Sequence, residues 1–422
     1  AKKDVEAKVL KLAQRSVANG NTLSEKGENL LALPWFADAA ELAEGDMLLK
    51  DKYIKNLIKN LNETPNLSQI VFRDKPISSA IFSPNANEYI VGEGQGFSAA
   101  EHELGLFNAK TGKLIRSINL LGTVHSIGFS NDGALIYSLS GDRSVKIWNA
   151  KGMKLINTFD KHKGWVGPGI SFSHDNALIA LPIIGDKSGV KILDIKTGKE
   201  LLPLLETDRQ CRHAAFAQDK SYILGGTGGR GGVANHGAIY IWDLSIDKHE
   251  SKLIRRIETG KPVHAIDINN KGNKFVIACG NLDGSNPPGY AQIFNVTDGE
   301  AITEKFEHGS GVRYVEFSPN EELILTASMD GTCRIWNTHD GTPISEPVVH
   351  DGGIIHACFS PDGEYVASSG RDGIVKIWQA ISGNMITSPL KHLGPVVRSS
   401  FSNDGRSILT SSRDGTVRLY NL

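Results

Sequence analysis

No stretch of the 422-residue chain approaches the ~18 consecutive apolar residues that a membrane-spanning helix requires, so membrane insertion is not expected. Neither sign of charge is in excess: 46 basic residues face 47 acidic ones, for a formal net charge of −1. That balance gives no general attraction to nucleic acid or anionic lipid, so nucleic acid is not an expected partner, although local charged patches stay possible. Cysteine is scarce. Cys211, Cys279, Cys333 and Cys358 form neither a CxxC pair nor a CxxCH haem attachment motif. They read as buried free thiols, which suits a reducing compartment, and a cytoplasmic location is the expectation. No signal peptide is visible. The chain opens on Ala1 rather than Met, as an excised region or a processed product would. Glycine, by contrast, is plentiful at 45 residues, as many tight turns demand.

What is present in quantity is a repeat. A short apolar strand ends in an aromatic or large apolar residue followed by Asn, Asp or a close substitute. The eight ends fall at Phe107, Trp148, Leu193, Trp242, Phe294, Trp336, Trp378 and Tyr420. The steps between them are 41, 45, 49, 52, 42, 42 and 42 residues. A period of about 40–45 residues with such an ending reads as a four-stranded propeller blade. The sixth copy is the clearest. Val312-Arg313-Tyr314-Val315-Glu316-Phe317 alternates as an inner strand, Ser318-Pro319-Asn320 turns, and Leu323 to Ser328 form the second strand. Asp330-Gly331 then turns into the third strand, and Asp340-Gly341 into the outer one. Phe82-Ser83-Pro84, Phe359-Ser360-Pro361 and Phe401-Ser402-Asn403 repeat the first turn.

These residues resemble the WD-repeat family over about 350 of the 422 positions. The resemblance implies an all-β, WD40-type β-propeller and a buried hydrogen-bond network within good blades. On that pattern, blade six carries His308, Ser328, Asp330 and Trp336, and blade eight carries His392, Ser412, Asp414 and Tyr420. Blade seven has His350, Asp372 and Trp378 with Gly370 in the Ser position. Blade two has Ser140, Asp142 and Trp148 with Leu120 in the His position. Such a network ties strands together and leaves no buried polar group unpaired. A Ser–His–Asp triplet also suggests a hydrolase. Here the three residues serve the fold and lie between strands, so no catalytic residue is expected.

The chain stops after the third strand of the eighth repeat. Ser68-Gln69-Ile70-Val71-Phe72-Arg73 has the character to supply the missing outer strand and close the ring. Eight blades are expected over 66–422, with seven plus a stray strand set as the alternative. Residues 1–65 lack the repeat and read as helices. Leu31 to Leu42 resembles the second helix of a tetratricopeptide unit, with Ala32, Phe36 and Ala39 at its small–aromatic–small positions. A short helix set of this kind running into such blades resembles the C-terminal regions of large bacterial signalling proteins, some with a kinase upstream.

Function is sought where the repeats differ. From inner-strand Phe to third-strand aromatic, blades two, six, seven and eight span 19 residues, whereas blades one, three, four and five span 25, 21, 26 and 26. The extra residues are expected between the second and third strands. In this family those loops share a face with the links between blades. The candidate docking residues there are Phe97, Glu101 and His102 in blade one, Arg230, Asn235 and His236 in blade four, and Asp283, Asn286, Pro288 and Tyr290 in blade five. The Gly-rich run 225–232 lacks the Gly-Lys-Ser/Thr ending of a phosphate loop, and no cofactor or metal is expected. Arg143, Arg371 and Arg413 flank turn aspartates at the rim, as arginines that anchor acidic partner segments do. The expected function is a non-enzymatic scaffold for a protein or peptide partner, with oligomeric state undetermined. The alternative is an enzyme or metal protein using the central channel, motivated by His125, His213, His264 and His356 on four inner strands.

Overall fold

In a computed structural model of the protein, residues 16–18, 21, 39, 66–96, 98–160, 164–228, 236–282 and 288–422 are described. The expected helical segment over 1–65 lies almost wholly outside them. So do Phe97, Arg230, Asn235, Asp283 and Asn286 among the candidate docking residues.

From Asn66 onward the described residues form eight antiparallel sheets. Each runs inner strand, second, third, outer, in chain order. Blade one is Ile77–Phe82, Glu88–Glu93, Glu101–Asn108 and Leu114–Leu121. Blade six is Val312–Phe317, Leu323–Ser328, Thr332–Asn337 and Val348–Val349. The eighth sheet differs in origin. Its inner three strands are Val396–Phe401, Ser407–Ser412 and Thr416–Asn421, and its outer strand is Asn66–Phe72, from the opposite end of the propeller sequence. The register runs from Asn66 opposite Asn421 to Phe72 opposite Thr416, with a bulge between Leu67 and Gln69. The protein is therefore an eight-bladed WD40-type propeller of four-stranded blades.

Buried side chains gather in eight clusters, each made by two neighbouring blades. The ring-closing cluster joins Leu409, Val417 and Leu419 of blade eight to Ile77, Ala80 and Val91 of blade one. The second strand is buried throughout in blade six and at every position but Ser407 in blade eight, because each sheet is covered on both faces by its neighbours.

The first turn is built alike in six blades; in blades four and five Ala217 and Asn269 stand in the serine place. In blade two the Ser130 hydroxyl donates to Asp132 at 2.6 Å and accepts the Leu135 amide at 2.9 Å. Blades three, six and eight repeat this through Ser173, Ser318 and Ser402. One turn residue takes a left-handed conformation, as at Gly133 (φ 71°), Gly363 (φ 75°) and Gly405 (φ 69°).

Blade three departs from the pattern. Its inner strand is broken into Trp165–Val166 and Ser171–Phe172 by Gly167-Pro168-Gly169. A Cβ at Gly169 would lie 2.2 Å from His213 Nδ1, so only glycine permits this close approach to blade four. Its extra residues do not lengthen a loop. They lengthen the second and third strands to Leu178–Ile184 and Ser188–Asp194, joined by a tight turn.

Candidate functional site

The buried polar network lies inside the blades, with one change from the expected register. In blade six the Trp336 indole N–H donates to Thr326 Oγ1 at 2.9 Å, and His308 Nε2 lies 2.8 Å from the same hydroxyl. His308 Nδ1 faces Asp330 at 3.3 Å. Ser328 is not the linking residue. Its hydroxyl accepts the Asp330 amide and donates to the Ser310 carbonyl, bracing the turn. Residues two apart share a strand face, so Thr326 and Ser328 both face the network and the pattern alone does not rank them. In blade eight His392 likewise meets Thr410 rather than Ser412, but Tyr420, expected in the network, does not join it: its buried hydroxyl makes no hydrogen bond. In blade two the linking hydroxyl is Ser138, while Ser140 donates to Asp142.

Blade seven is complete, contrary to expectation. Ser368 links His350 (2.9 Å) to Trp378 (3.3 Å), and His350 meets Asp372 at 3.0 Å. Gly370 replaces the turn-bracing serine, and a Cβ there would come within 2.4 Å of Asp372 Oδ1. Burial pushes the Asp330 and Asp414 carboxyls up. Hydrogen bonds from His308 and Thr332, and from His392 and Thr416, outweigh it and hold both well below the usual range. Three blades without the network hold stacked aromatic pairs, Tyr89 on Phe107, Tyr240 on Trp242 and Phe275 on Phe294, with ring centres 5.2–5.4 Å apart.

Several candidate docking residues prove structural. His102 belongs to the third strand of blade one, opposite Leu120, and is buried. Tyr290 belongs to the third strand of blade five and is buried, its hydroxyl donating to the Thr259 carbonyl at 2.6 Å. Both were read as loop because the strands extend further toward the face than in blade six. Glu101, His236 and Pro288 are exposed.

The inner strands enclose a cavity of about 750 Å3. It brings together His125, His213, His264 and His356, and with them residues that the sequence reading passed over: Arg212, Arg313, Arg398, Asp267 and Glu316. Their signal was the polar side of the inner-strand alternation, which reads as solvent-facing in an open sheet but lines a channel in a ring. Burial lowers His213 to about 3 and His264 to about 4. It raises Asp267 to about 6 and, with the Asp267 charge, Glu316 to about 8. His264 Nε2 is spent on the Gly280 carbonyl. Among the described residues no group of three His, Cys, Asp or Glu side chains is placed to hold a metal ion.

At one end the channel opens into a mouth of about 560 Å3. Loops between second and third strands (Gly94 to Gly96, Arg371, Arg413) and links between blades (Thr123, Pro395) meet there, so both kinds of loop share this face. Arg143, the third rim arginine, is not at this mouth. Its guanidinium lies over the Trp165 ring at 4.4 Å.

The model of the WD domain, G-beta repeat, matches residues 112–149, 300–337, 341–379 and 384–421. These windows end on blades two, six, seven and eight, the blades of regular spacing. Eukaryotic translation initiation factor 3 subunit I of Debaryomyces hansenii is 25% identical over 232 residues, covering 51% of this chain and 63% of that protein. Its Emericella nidulans counterpart is 26% identical over 228 residues, with the same coverage. The WD repeat-containing protein 91 homolog of Dictyostelium discoideum is 28% identical over 223 residues, 52% of this chain and 24% of that protein. The chain thus spans less than two thirds of the length of these relatives. Among solved structures, the C-terminal WD40 domain of Sif2 superposes with a TM-score of 0.66 at 14% identity, covering 85% of this chain and 99% of that one. Chaetomium thermophilum Sqt1, bound to the N-terminus of ribosomal protein L10, gives 0.66 at 14% identity, covering 84% and 100%.

Proposed function

The chain is a member of the WD40-repeat β-propellers, and from that premise we propose that it acts as a non-enzymatic protein–protein interaction scaffold, capturing a protein or peptide partner on its loop-bearing face. The observation that carries this reading is the closed ring itself. Eight blades interlocked by shared clusters hold the ring rigid, and the blade-one loop Gly94 to Gly96 opens on the same face as links between blades. A preorganised face loses little entropy on binding.

The relatives support a role as one part of an assembly. The fungal proteins are named as subunits of a translation initiation factor, and the Sqt1 structure is titled as a propeller holding the terminus of another protein. These relatives are eukaryotic and are not bacterial signalling proteins. The scaffold reading therefore stands without assignment to a signalling chain, and without the kinase.

The docking loops at 94–100, 228–237 and 280–288 are the proposed contact edge, with Glu101, His236 and Pro288 at its exposed limits. Cross-linking mass spectrometry of the full chain in extract of its own source tests the reading. Cross-links from a stoichiometric partner should concentrate on these loops, and replacing 282–288 by an Asp-Gly turn should weaken capture. Partner capture indifferent to that replacement, with cross-links on the opposite face, would remove the assignment.

A further inference from the structure

Three arginines, Arg313, Arg371 and Arg413, gather at the channel mouth. Arg371 and Arg413 sit on the second-to-third-strand loops of blades seven and eight. Those loops are fixed by their amides, which donate to Gly353 and Pro395 carbonyls at 3.0 Å. Arg313 rises beside them from the inner strand of blade six, and all three line the mouth. Among the described residues none of the three has a carboxylate partner. The adjacent carboxylates, Asp372 and Asp414, are taken by His350 and His392. Other arginines of the ring do find carboxylates: Arg209 and Arg256 both reach Glu258, and Arg256 also reaches Asp208. Burial, followed by the charges of Arg371 and Arg413, lowers Arg313, as expected of a like-charge cluster that lacks an anion.

Two further observations mark this as a place for a ligand. The mouth leads into the channel, with Arg313 lining both. Just inside, His356 is only 7% exposed, and both of its ring nitrogens lack partners, as does Arg398 Nε. Leu393, in the link between blades seven and eight, is 77% exposed and is held next to the Arg413 turn by a hydrogen bond from its backbone N–H to Asp414 at 2.9 Å.

We propose that an acidic peptide segment docks at this mouth, seating an Asp or Glu carboxylate between Arg313, Arg371 and Arg413 and laying an adjacent apolar residue on Leu393. The proposal rests on the scaffold reading and gives its partner a chemistry. Planar guanidinium groups bind carboxylates with two parallel hydrogen bonds. Three of them around one opening suit a single anionic side chain. A nucleic-acid strand would need a basic track along its backbone, which one mouth does not supply.

Selection of an mRNA-displayed random dodecapeptide library on the full chain at low salt is the test. Enriched sequences should carry Asp or Glu beside Leu, Ile or Phe. Fluorescence anisotropy on the enriched peptides should show affinity falling about tenfold or more in Arg371→Ala/Arg413→Ala and falling with added salt. Arg209→Ala should leave it unchanged. Arg371 and Arg413 are exposed, so the double variant should keep the parent melting curve, and Leu393→Ser should weaken binding by about threefold. Enriched peptides without acidic residues, acidic binders indifferent to the double variant, or an oligouridine that outcompetes every peptide would overturn the acidic seat while leaving the scaffold reading intact. A selection that returns no binder overturns both.

Discussion

Thr326 accepts the Trp336 indole N–H and stands 2.8 Å from His308, so one hydroxyl connects the second strand of blade six to the third and to the end of blade five's outer strand, Phe306–His308. Removing it leaves an indole N–H and an imidazole nitrogen buried without partners. Thr326→Val should therefore cost ~2–4 kcal/mol in urea unfolding, whereas Ser328→Ala, which loses only turn-bracing bonds, should cost ~1 kcal/mol. The reverse order would return the linking role to Ser328. Glycine makes a second contrast. Gly405 has φ 69° and a roomy surrounding, the nearest atom to an added Cβ being 3.9 Å away, so Gly405→Ala should lose only the ~1–2 kcal/mol of left-handed strain. Gly370 has ordinary backbone, but an added Cβ meets Asp372 Oδ1 at 2.4 Å. Gly370→Ala should push that carboxylate away from His350 and cost ~1–3 kcal/mol by overpacking, measured by the same unfolding curves.

At the scale of elements, the closing strand is the weak point of the ring, since Asn66–Phe72 joins blade eight by one ladder and by little buried apolar surface; Phe72 is 72% exposed. Arg73, just beyond it, reinforces the seam. Its guanidinium reaches Glu93 at 2.7 Å and Glu103 at 2.6 Å in blade one, and its amide donates to the Gly415 carbonyl in blade eight. Arg73→Met should leave Glu93, whose side chain is 8% exposed, as a buried charge with no guanidinium, and should cost ~3 kcal/mol. Faster amide hydrogen exchange should be confined to Asn66–Phe72 and Thr416–Asn421. Exchange unchanged there would mean the ladder alone holds the ring. The sequence allowed this seam to be foreseen, because a repeat that ends after its third strand leaves an edge that the stray segment before the first repeat can pair. It also allowed the blades and their first turns to be foreseen, since Ser, Asp and Gly at fixed offsets have local physical reasons to be there. What it did not allow was depth. Tyr290 and His102 look like loop residues until the strands prove longer, and Arg313, Glu316 and Asp267 look like the wet side of a sheet until the ring closes around them.

For the whole molecule, the channel sets two opposed responses to pH. His264, lowered from about 6.5 unfolded to about 4 by burial, stays neutral in the folded ring. Its contribution is complete above pH ~6.5 and is lost as pH falls toward ~4, because the unfolded chain takes the proton first. Glu316, raised from about 4.5 to about 8 by burial and by Asp267, holds its proton in the folded ring. Its contribution is complete below pH ~4.5 and is lost as pH rises through ~8. The two losses overlap between pH ~4.5 and ~6.5, where their opposite slopes cancel, so stability should form a plateau there and fall on either side. His264→Gln, which can keep the bond to the Gly280 carbonyl, should flatten the acid side by ~1–2 kcal/mol, less than full burial implies because the channel side of the ring meets water. Glu316→Gln should stabilise relative to the parent at pH ~9 and lose that advantage at pH ~5, by a similar ~1–2 kcal/mol. Denaturant midpoints across that range distinguish the two flanks. A parent curve flat across the whole range would mean that water in the channel solvates these groups as well as bulk solvent does, and that the centre of the ring is open surface rather than interior.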